Sequence, residues 1–420
     1  MKKDQNRKIK IQDKKTKIDK KDSKILQLNS NSEEKAPAKT KKVLSFGKAC
    51  IAILVIILVS IVLARYVTDE SFRNFVDTKI LKKEITSENL NKIDIDSENN
   101  PTIYAFDKYI TVLSKSQLKI YGKNGKQVAS LEVNISSPIM DSQGKYLVIG
   151  EKDGSKLYLV EDSNIVWQTE IEGDISRVNV NQNGYVSIIV KNTTYKSVII
   201  FFNPEGKEVF KKYISSTYAI CTDISSDNKY LAIGEVDYSG TIVKSKIEII
   251  STSLVVTDPE NSTVYTYESE AGEIIINIDY SSKKYAICMF NSYVQKISEE
   301  ANERLYELED DIIFFDINLK NNMAMIEKQS SGMFSYAYQM RFKSTQSKAE
   351  SLYILNNSMP KSVICYQNYI GINFGNEVQI VNTNGWLVKK YTAEKEIKSL
   401  VLGNSIAGIV YKDRIEIISL

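Results

Sequence analysis

Two patterns of apolar and polar residues divide this chain. Positions 49–64 form sixteen consecutive residues without a charge, filled by Ile, Leu, Val and Ala with one cysteine and one serine. From about residue 101 the apolar residues alternate instead, in runs of five to seven such as Tyr109-Ile-Thr-Val-Leu113, Tyr146-Leu-Val-Ile149, Leu157-Tyr-Leu-Val160 and Ser197-Val-Ile-Ile-Phe-Phe202. Turn groups such as Asn-Gly, Asp-Gly and Ser-Asp-Asn separate the runs. A period of two bounded by such groups predicts β-strands, and an unbroken apolar run near 20 residues predicts a membrane-spanning helix.

The strand pattern repeats on a longer scale. A polar turn followed by a strand that opens on tyrosine occurs at Asp141-Ser-Gln-Gly-Lys-Tyr146, Asn181-Gln-Asn-Gly-Tyr185, Ser225-Ser-Asp-Asn-Lys-Tyr230 and Tyr280-Ser-Ser-Lys-Lys-Tyr285. Weaker copies open at Tyr109, near Met323, at Tyr369 and near Ile406. Units of roughly 40–50 residues, each parsing into four strands, are the spacing of propeller blades. The expectation is an all-β domain over 101–420, a β-propeller of seven or eight blades, with the irregular stretch 250–350 leaving the number open. The chain ends on a third strand, Arg414–Ile418, so the fourth strand of that blade has to come from elsewhere. Lys92-Ile-Asp-Ile-Asp96 alternates and is placed to supply it, which would cover an open sheet edge.

Charge adds topology. Residues 1–42 hold 15 Lys or Arg against 6 Asp or Glu, a net of +9 in a chain whose total is +3. The remainder therefore carries −6. Such a tail has too little apolar surface to fold, so 1–42 reads as a disordered basic cytoplasmic tail. Extending the apolar run back to Val43 gives a transmembrane signal anchor at 43–65. Lys48 lies near its end, where the long stem reaches the interface. Lysines before the helix place the N-terminus in the cytoplasm and the rest outside the membrane. Val62-Leu63-Ala64 also matches a signal-peptidase site, so cleavage stays open, although 42 residues are a long leader. Residues 66–100 read as a stalk: an amphipathic helix over 69–83 carrying Phe72, Phe75, Val76, Ile80 and Leu81 on one face, then a polar linker.

Composition removes several chemistries. The chain has no histidine, so it lacks the usual general base and the commonest metal ligand. Cys221, Cys288 and Cys365 sit in apolar runs and read as small buried side chains rather than a disulfide framework; one disulfide with a free thiol is the alternative. No glycine-rich phosphate loop occurs. The stretches 94–98 and 179–184 place oxygen ligands at alternate positions but lack the carboxylate pattern of a calcium loop. No catalytic, cofactor-binding or metal residue is expected, and no cofactor. The one stretch with a candidate role is 334–342, where Phe334, Tyr336, Tyr338 and Phe342 share a strand face with Met340. They form either a face buried between blades or an exposed partner-binding patch.

Residues 164–173, with Trp167, and Gly385-Trp386-Leu-Val resemble the tryptophan-bearing outer strand of quinoprotein-type blades. The repeats over 101–420 thus resemble WD40-like and quinoprotein-like propellers. The layout of basic tail, anchor and propeller is similar to a family of bacterial envelope proteins known mainly as a domain of unknown function. Most blades lack the tryptophan, and no Trp-Asp or Gly-His dipeptide stands in WD40 positions. The resemblance therefore implies a fold but no cofactor site. The function expected is a non-enzymatic binding or scaffold module held at the cell membrane, with an envelope protein or glycan as partner and no nucleic acid. Alternatives are a transmembrane sensor signalling through the basic tail, and a polysaccharide-acting enzyme that works with carboxylates and tyrosines.

Overall fold

The computed structural model describes residues 40–69, 72–73, 76–81, 83–330, 336–355 and 358–420. The chain divides into two compact units, Met1–Glu70 and Ser71–Leu420. In the first, a helix runs from Thr40 to Thr68. It contains the expected span 43–65, and its stretch Cys50–Thr68 is long and apolar enough to cross a membrane, with its side chains exposed. The tail expected over 1–42 lies, up to residue 39, outside the described residues.

The second unit is a ring of eight antiparallel sheets, each a four-stranded meander or its equivalent. In chain order the blades cover residues 102–132, 138–170, 174–214, 218–268, 275–307, 312–354, 362–392 and 399–419, the last completed by Asn91–Asp94. This resolves the blade number at eight. The third blade is built as its pattern implies, from Asp174–Val180, Val186–Lys191, Ser197–Phe202 and Glu208–Ile214.

Each blade is apolar on both faces of its inner three strands, because each face meets a neighbouring blade. Eight apolar clusters result, one at each blade-to-blade interface. Between blades 3 and 4, for example, Phe201, Phe210, Ile224 and Leu231 interlock, each such side chain contributing about 1.5–3 kcal/mol by leaving water. Cys221 and Cys288 are buried free thiols and Cys365 is half-buried, as expected of small apolar residues in strands. Trp167 closes the outer strand of blade 2 over blade 3. Its indole N–H donates to the Pro204 carbonyl at 3.1 Å, and its ring packs on Phe202. Gly206, at φ +81°, passes so close beneath that ring that a Cβ would stand 2.5 Å from it. Trp386, in contrast, precedes its strand and is exposed.

The ends of the ring meet in blade 8. Asn91–Asp94 runs antiparallel to Arg414–Ser419 with Lys92 opposite Glu416 and Ile93 opposite Ile415. Ile93 is buried with Ile110, Val401, Ile415 and Ile417 at the interface between blades 8 and 1. Glu416, fully buried, accepts hydrogen bonds from Ser87 Oγ at 2.6 Å, from Arg414 Nε at 2.8 Å and from the Tyr391 hydroxyl. Those three donors, against the opposing effect of burial, hold its carboxyl below the usual range. Blade 7 gains a fifth strand that the polar reading of 84–100 did not anticipate: Glu84–Ile85 lies parallel to its outer strand, opposite Lys390 and Tyr391.

The stalk meets expectation in part. Of the helix expected over 69–83, Phe72 and Arg73 are α-helical and Val76–Ile80 forms a short π-helix among the described residues. Ile80 and Leu81, expected on its packed face, are exposed, while Asp77 is buried against Lys83 at 2.7 Å; Phe75 lies outside the described residues. Phe72 and Val76 are half-buried, and the pairing of Glu84–Ile85 with blade 7 puts the chain into extended form just beyond Leu81.

Replacing Ile93 with alanine should lower stability by about 2–5 kcal/mol, the range for emptying a buried isoleucine site. The shift is read as a lower urea midpoint of the detergent-solubilised protein by tryptophan fluorescence. An unchanged midpoint would show that the ring does not depend on this strand.

Candidate functional site

The inner strands of the blades surround a channel, and its cavity of about 400 Å³ is lined by blades 1–7. Strand alternation sends every second inner-strand side chain into it. At one register blades 2–6 carry Asp141, Asn179, Asp223, Asp279 and Asp316, and the first four of these line the cavity. Their equivalence follows from the residues they face on the second strands: Val148, Ser187, Ala232, Ile287 and Ala324. Blade 1 places Tyr104 at this level, and blade 7 adds Cys365, Tyr366 and Gln367.

The carboxylates are engaged by donors of two kinds. Asp141 Oδ2 accepts the backbone N–H of Val180 in the next blade at 2.8 Å and the Asn179 side-chain amide at 3.3 Å. Asp223 does the same two interfaces further on, between blades 4 and 5, with the N–H of Tyr280, and its other oxygen accepts from Ile224 at 2.8 Å. Asp279 and Asp316 instead cap their own turns, on the N–H of Ser281 at 3.1 Å and of Asn318 at 2.7 Å. On the opposite side of the channel Gln367 Nε2 donates to Gln143 Oε1 at 2.9 Å, joining blade 7 to blade 2.

Enclosure raises the affinity of these carboxyls for protons. Burial pushes Asp141 up to about 6, against the backbone N–H of Val180. Burial raises Asp223 as well, with the negative charge of Asp279 adding to it. Asp279 and Asp316 are raised by the same loss of water. All four are half-buried, and Asp141, Asp223 and Asp279 line the cavity. No cluster of three potential metal ligands occurs among the described residues. The arrangement can tie blades together, hold protons near neutral pH and present carboxyl groups to whatever enters the channel.

These aspartates were not singled out from the pattern of strands. Their signal was present: an Asp or Asn stands five to seven residues before Tyr146, Tyr185, Tyr230, Tyr285 and Met323. Asp141 was read only as the start of a turn. The expected partner patch falls elsewhere. Tyr338 and Phe342 are buried with Met340 between blades 6 and 7. Tyr336 is exposed, with the Lys328 ammonium 3.8 Å above its ring. Phe334 lies outside the described residues. Of that stretch, the buried-face reading describes Tyr338 and Phe342, and Tyr336 alone faces solvent among the described candidates.

The model of a family of unknown function (DUF5711) matches residues 81–420, a range that includes both N-terminal strands that join the ring. No curated protein matches the chain significantly in sequence. Among solved structures, the chain is similar to Sqt1 of Chaetomium thermophilum, solved bound to the N-terminus of the ribosomal protein L10, with TM-score 0.50 and 10% identity over 80% of this chain and 100% of that one. It is also similar to BamB from Moraxella catarrhalis, with TM-score 0.45 and 12% identity over 79% of this chain and 99% of that one.

The raised carboxyls set a pH dependence with a definite sign. A carboxyl whose folded-state pKa lies above its unfolded value near 3.9 binds more protons in the folded state, so stability falls as pH rises through the folded value. With no histidine in the chain, these groups dominate between pH 5 and 7.5. The thermal midpoint should therefore rise on going from pH 7.5 to 5, and Asp223→Asn should flatten that rise. A midpoint that falls over this range would contradict the assignment.

Proposed function

The chain belongs to that family of unknown function, and we propose that it is a non-enzymatic binding or scaffold module held at a cell membrane by its N-terminal helix. The observation that carries the reading is how the channel carboxylates are employed. Asp141 and Asp223 accept backbone N–H groups of the next blade, and Asp279 and Asp316 close their own turns. Groups committed in this way hold the ring rigid, and a rigid ring is a platform for partners on its surface. The exposed apolar helix Cys50–Thr68 supports anchoring, and the lysines that precede it support a cytoplasmic N-terminus with the propeller outside. The partner class is an envelope protein or glycan.

A second reading is favoured by one observation: three aspartates with raised proton affinity, Asp141, Asp223 and Asp279, converge on a single solvent-reached channel. Carboxyl pairs with separated proton affinities are the equipment of glycoside hydrolysis. On this reading the protein cleaves polysaccharide, and Asp223→Asn would abolish release of reducing ends while leaving substrate binding intact.

Two measurements test the proposal. Lys283→Cys, at an exposed turn, should react with an impermeant thiol reagent on intact cells. Labelling only after the cells are broken open would reverse the topology. Purified full-length protein should capture envelope components from detergent extract without generating reducing ends from envelope polysaccharide. Asp223-dependent product formation would replace the binding reading with the enzymatic one.

A further inference from the structure

On the face opposite the turns that carry the channel carboxylates, blades 3 and 4 part to form a second concavity of about 740 Å³. One wall is the loop 192–196 between the second and third strands of blade 3. The other is the start of blade 4 at Tyr218 and the end of its second strand near Tyr238. Three cations, Arg177, Lys191 and Lys196, line it, and no carboxylate does. That is a positive cleft on a body whose residues beyond 42 carry net negative charge.

The lining is built rather than incidental. Lys196 Nζ donates to the Ser216 carbonyl at 2.7 Å and lies 5.0 Å above the Tyr218 ring. Tyr238 meets Tyr218 edge-on at 6.1 Å, and Tyr213 braces Tyr195 at 4.8 Å. Asn192 Oδ1 fixes the loop by accepting the N–H groups of Thr194 and Tyr195 at 2.8 and 3.2 Å. Lys191 is drawn to Asp153. Arg177 is exposed and makes no ion pair among the described residues. It stands on the inner strand of blade 3, where it lines this cleft and the channel alike.

We propose that this cleft binds an anionic glycan, a saccharide bearing carboxylate or phosphate groups. Tyr218 and Tyr238 offer aromatic surface to the sugar rings. The hydroxyl and amide groups of Thr193, Thr194 and Asn192 meet sugar hydroxyls, and the planar fork of Arg177 receives the charged group. An acidic peptide fits less well. Peptides take apolar pockets or open sheet edges, whereas the aliphatic part of this lining is Ala219 and Ile220 alone, and the free edges of Asp174–Val180 and Tyr218–Ile224, the innermost strands of their blades, are turned to the channel rather than to the cleft. The inference rests on the reading of the propeller as a binding module and names the ligand class for one of its surfaces.

The test is calorimetric titration of the full-length protein in detergent at low salt. The probes are tetragalacturonate, short poly(glycerol phosphate), neutral maltotetraose and octaglutamate. Expected are binding of one or both anionic saccharides, none of maltotetraose or octaglutamate, and at least tenfold weakening by Arg177→Gln and by Tyr218→Ala with an unchanged thermal midpoint. Which anionic saccharide binds distinguishes carboxylate from phosphate recognition. Octaglutamate binding as tightly as the saccharides would replace the glycan with an acidic peptide. Binding of neither anionic saccharide, or binding indifferent to both substitutions, would overturn the proposal. If the protein still captures an envelope partner, the binding-module reading survives that failure; if it captures none, both fall.

Discussion

Closure of the ring is the constraint on which the rest of the structure depends. A propeller blade has two apolar faces, and neither is covered unless a neighbour stands on each side. Seven blades follow in order along the chain, but the eighth has only three strands of its own. It is completed by Asn91–Asp94, which pairs with the last strand. The pairing brings Ile93 into the apolar cluster between blades 8 and 1. It also brings Lys92 and Ser87 to Glu416, a carboxylate that has lost all contact with water. A buried charge without partners would destabilise the fold by several kcal/mol. The turn that precedes the closing strand supplies one of the donors that make Glu416 tolerable, through Ser87.

The channel obeys the same logic on a smaller scale. Backbone N–H groups at the ends of inner strands have no ladder partner on the channel side, and water is the default acceptor. Asp141 and Asp223 replace that water with a carboxylate from the preceding blade. The consequence is electrostatic. Carboxyls gathered around one cavity lose hydration and repel one another, so their protons are held to higher pH than in an open chain. In a protein without histidine this makes the interior of the ring the group of sites most responsive to mild acid. The outer cleft of blades 3 and 4 has the opposite sign, and Arg177 belongs to the lining of both. A single inner strand thus connects an acidic interior to a basic exterior surface.

Much of this was legible from residue order because it depends on local periodicity. Alternation with period two marked the strands, the tyrosine-led turns marked the blades, and the apolar run marked the helix. The closing strand could be inferred from counting, since a third strand at the C-terminus leaves one edge open and Lys92–Asp96 alternates as an edge strand must. The helix expected over 69–83 is present only in part among the described residues, at Phe72–Arg73 and as the π-helix Val76–Ile80. Its C-terminal end stops short of the expected bound because the chain is drawn into a strand, Glu84–Ile85, against blade 7.

What the sequence determined by itself is the sum of local preferences: strand, turn, apolar helix, repeat length and the absence of histidine. What the tertiary structure alone decided is which side chains from distant repeats share a space. Asp141, Asp223 and Asp279 lie successively 82 and 56 residues apart and meet only because the ring curves them onto one axis. Tyr338 and Phe342 resemble surface anchors in composition, yet blade 7 covers them. Alternation records that a strand has two faces. It carries no information about what stands opposite each face, because that neighbour is set by the closure of the whole ring.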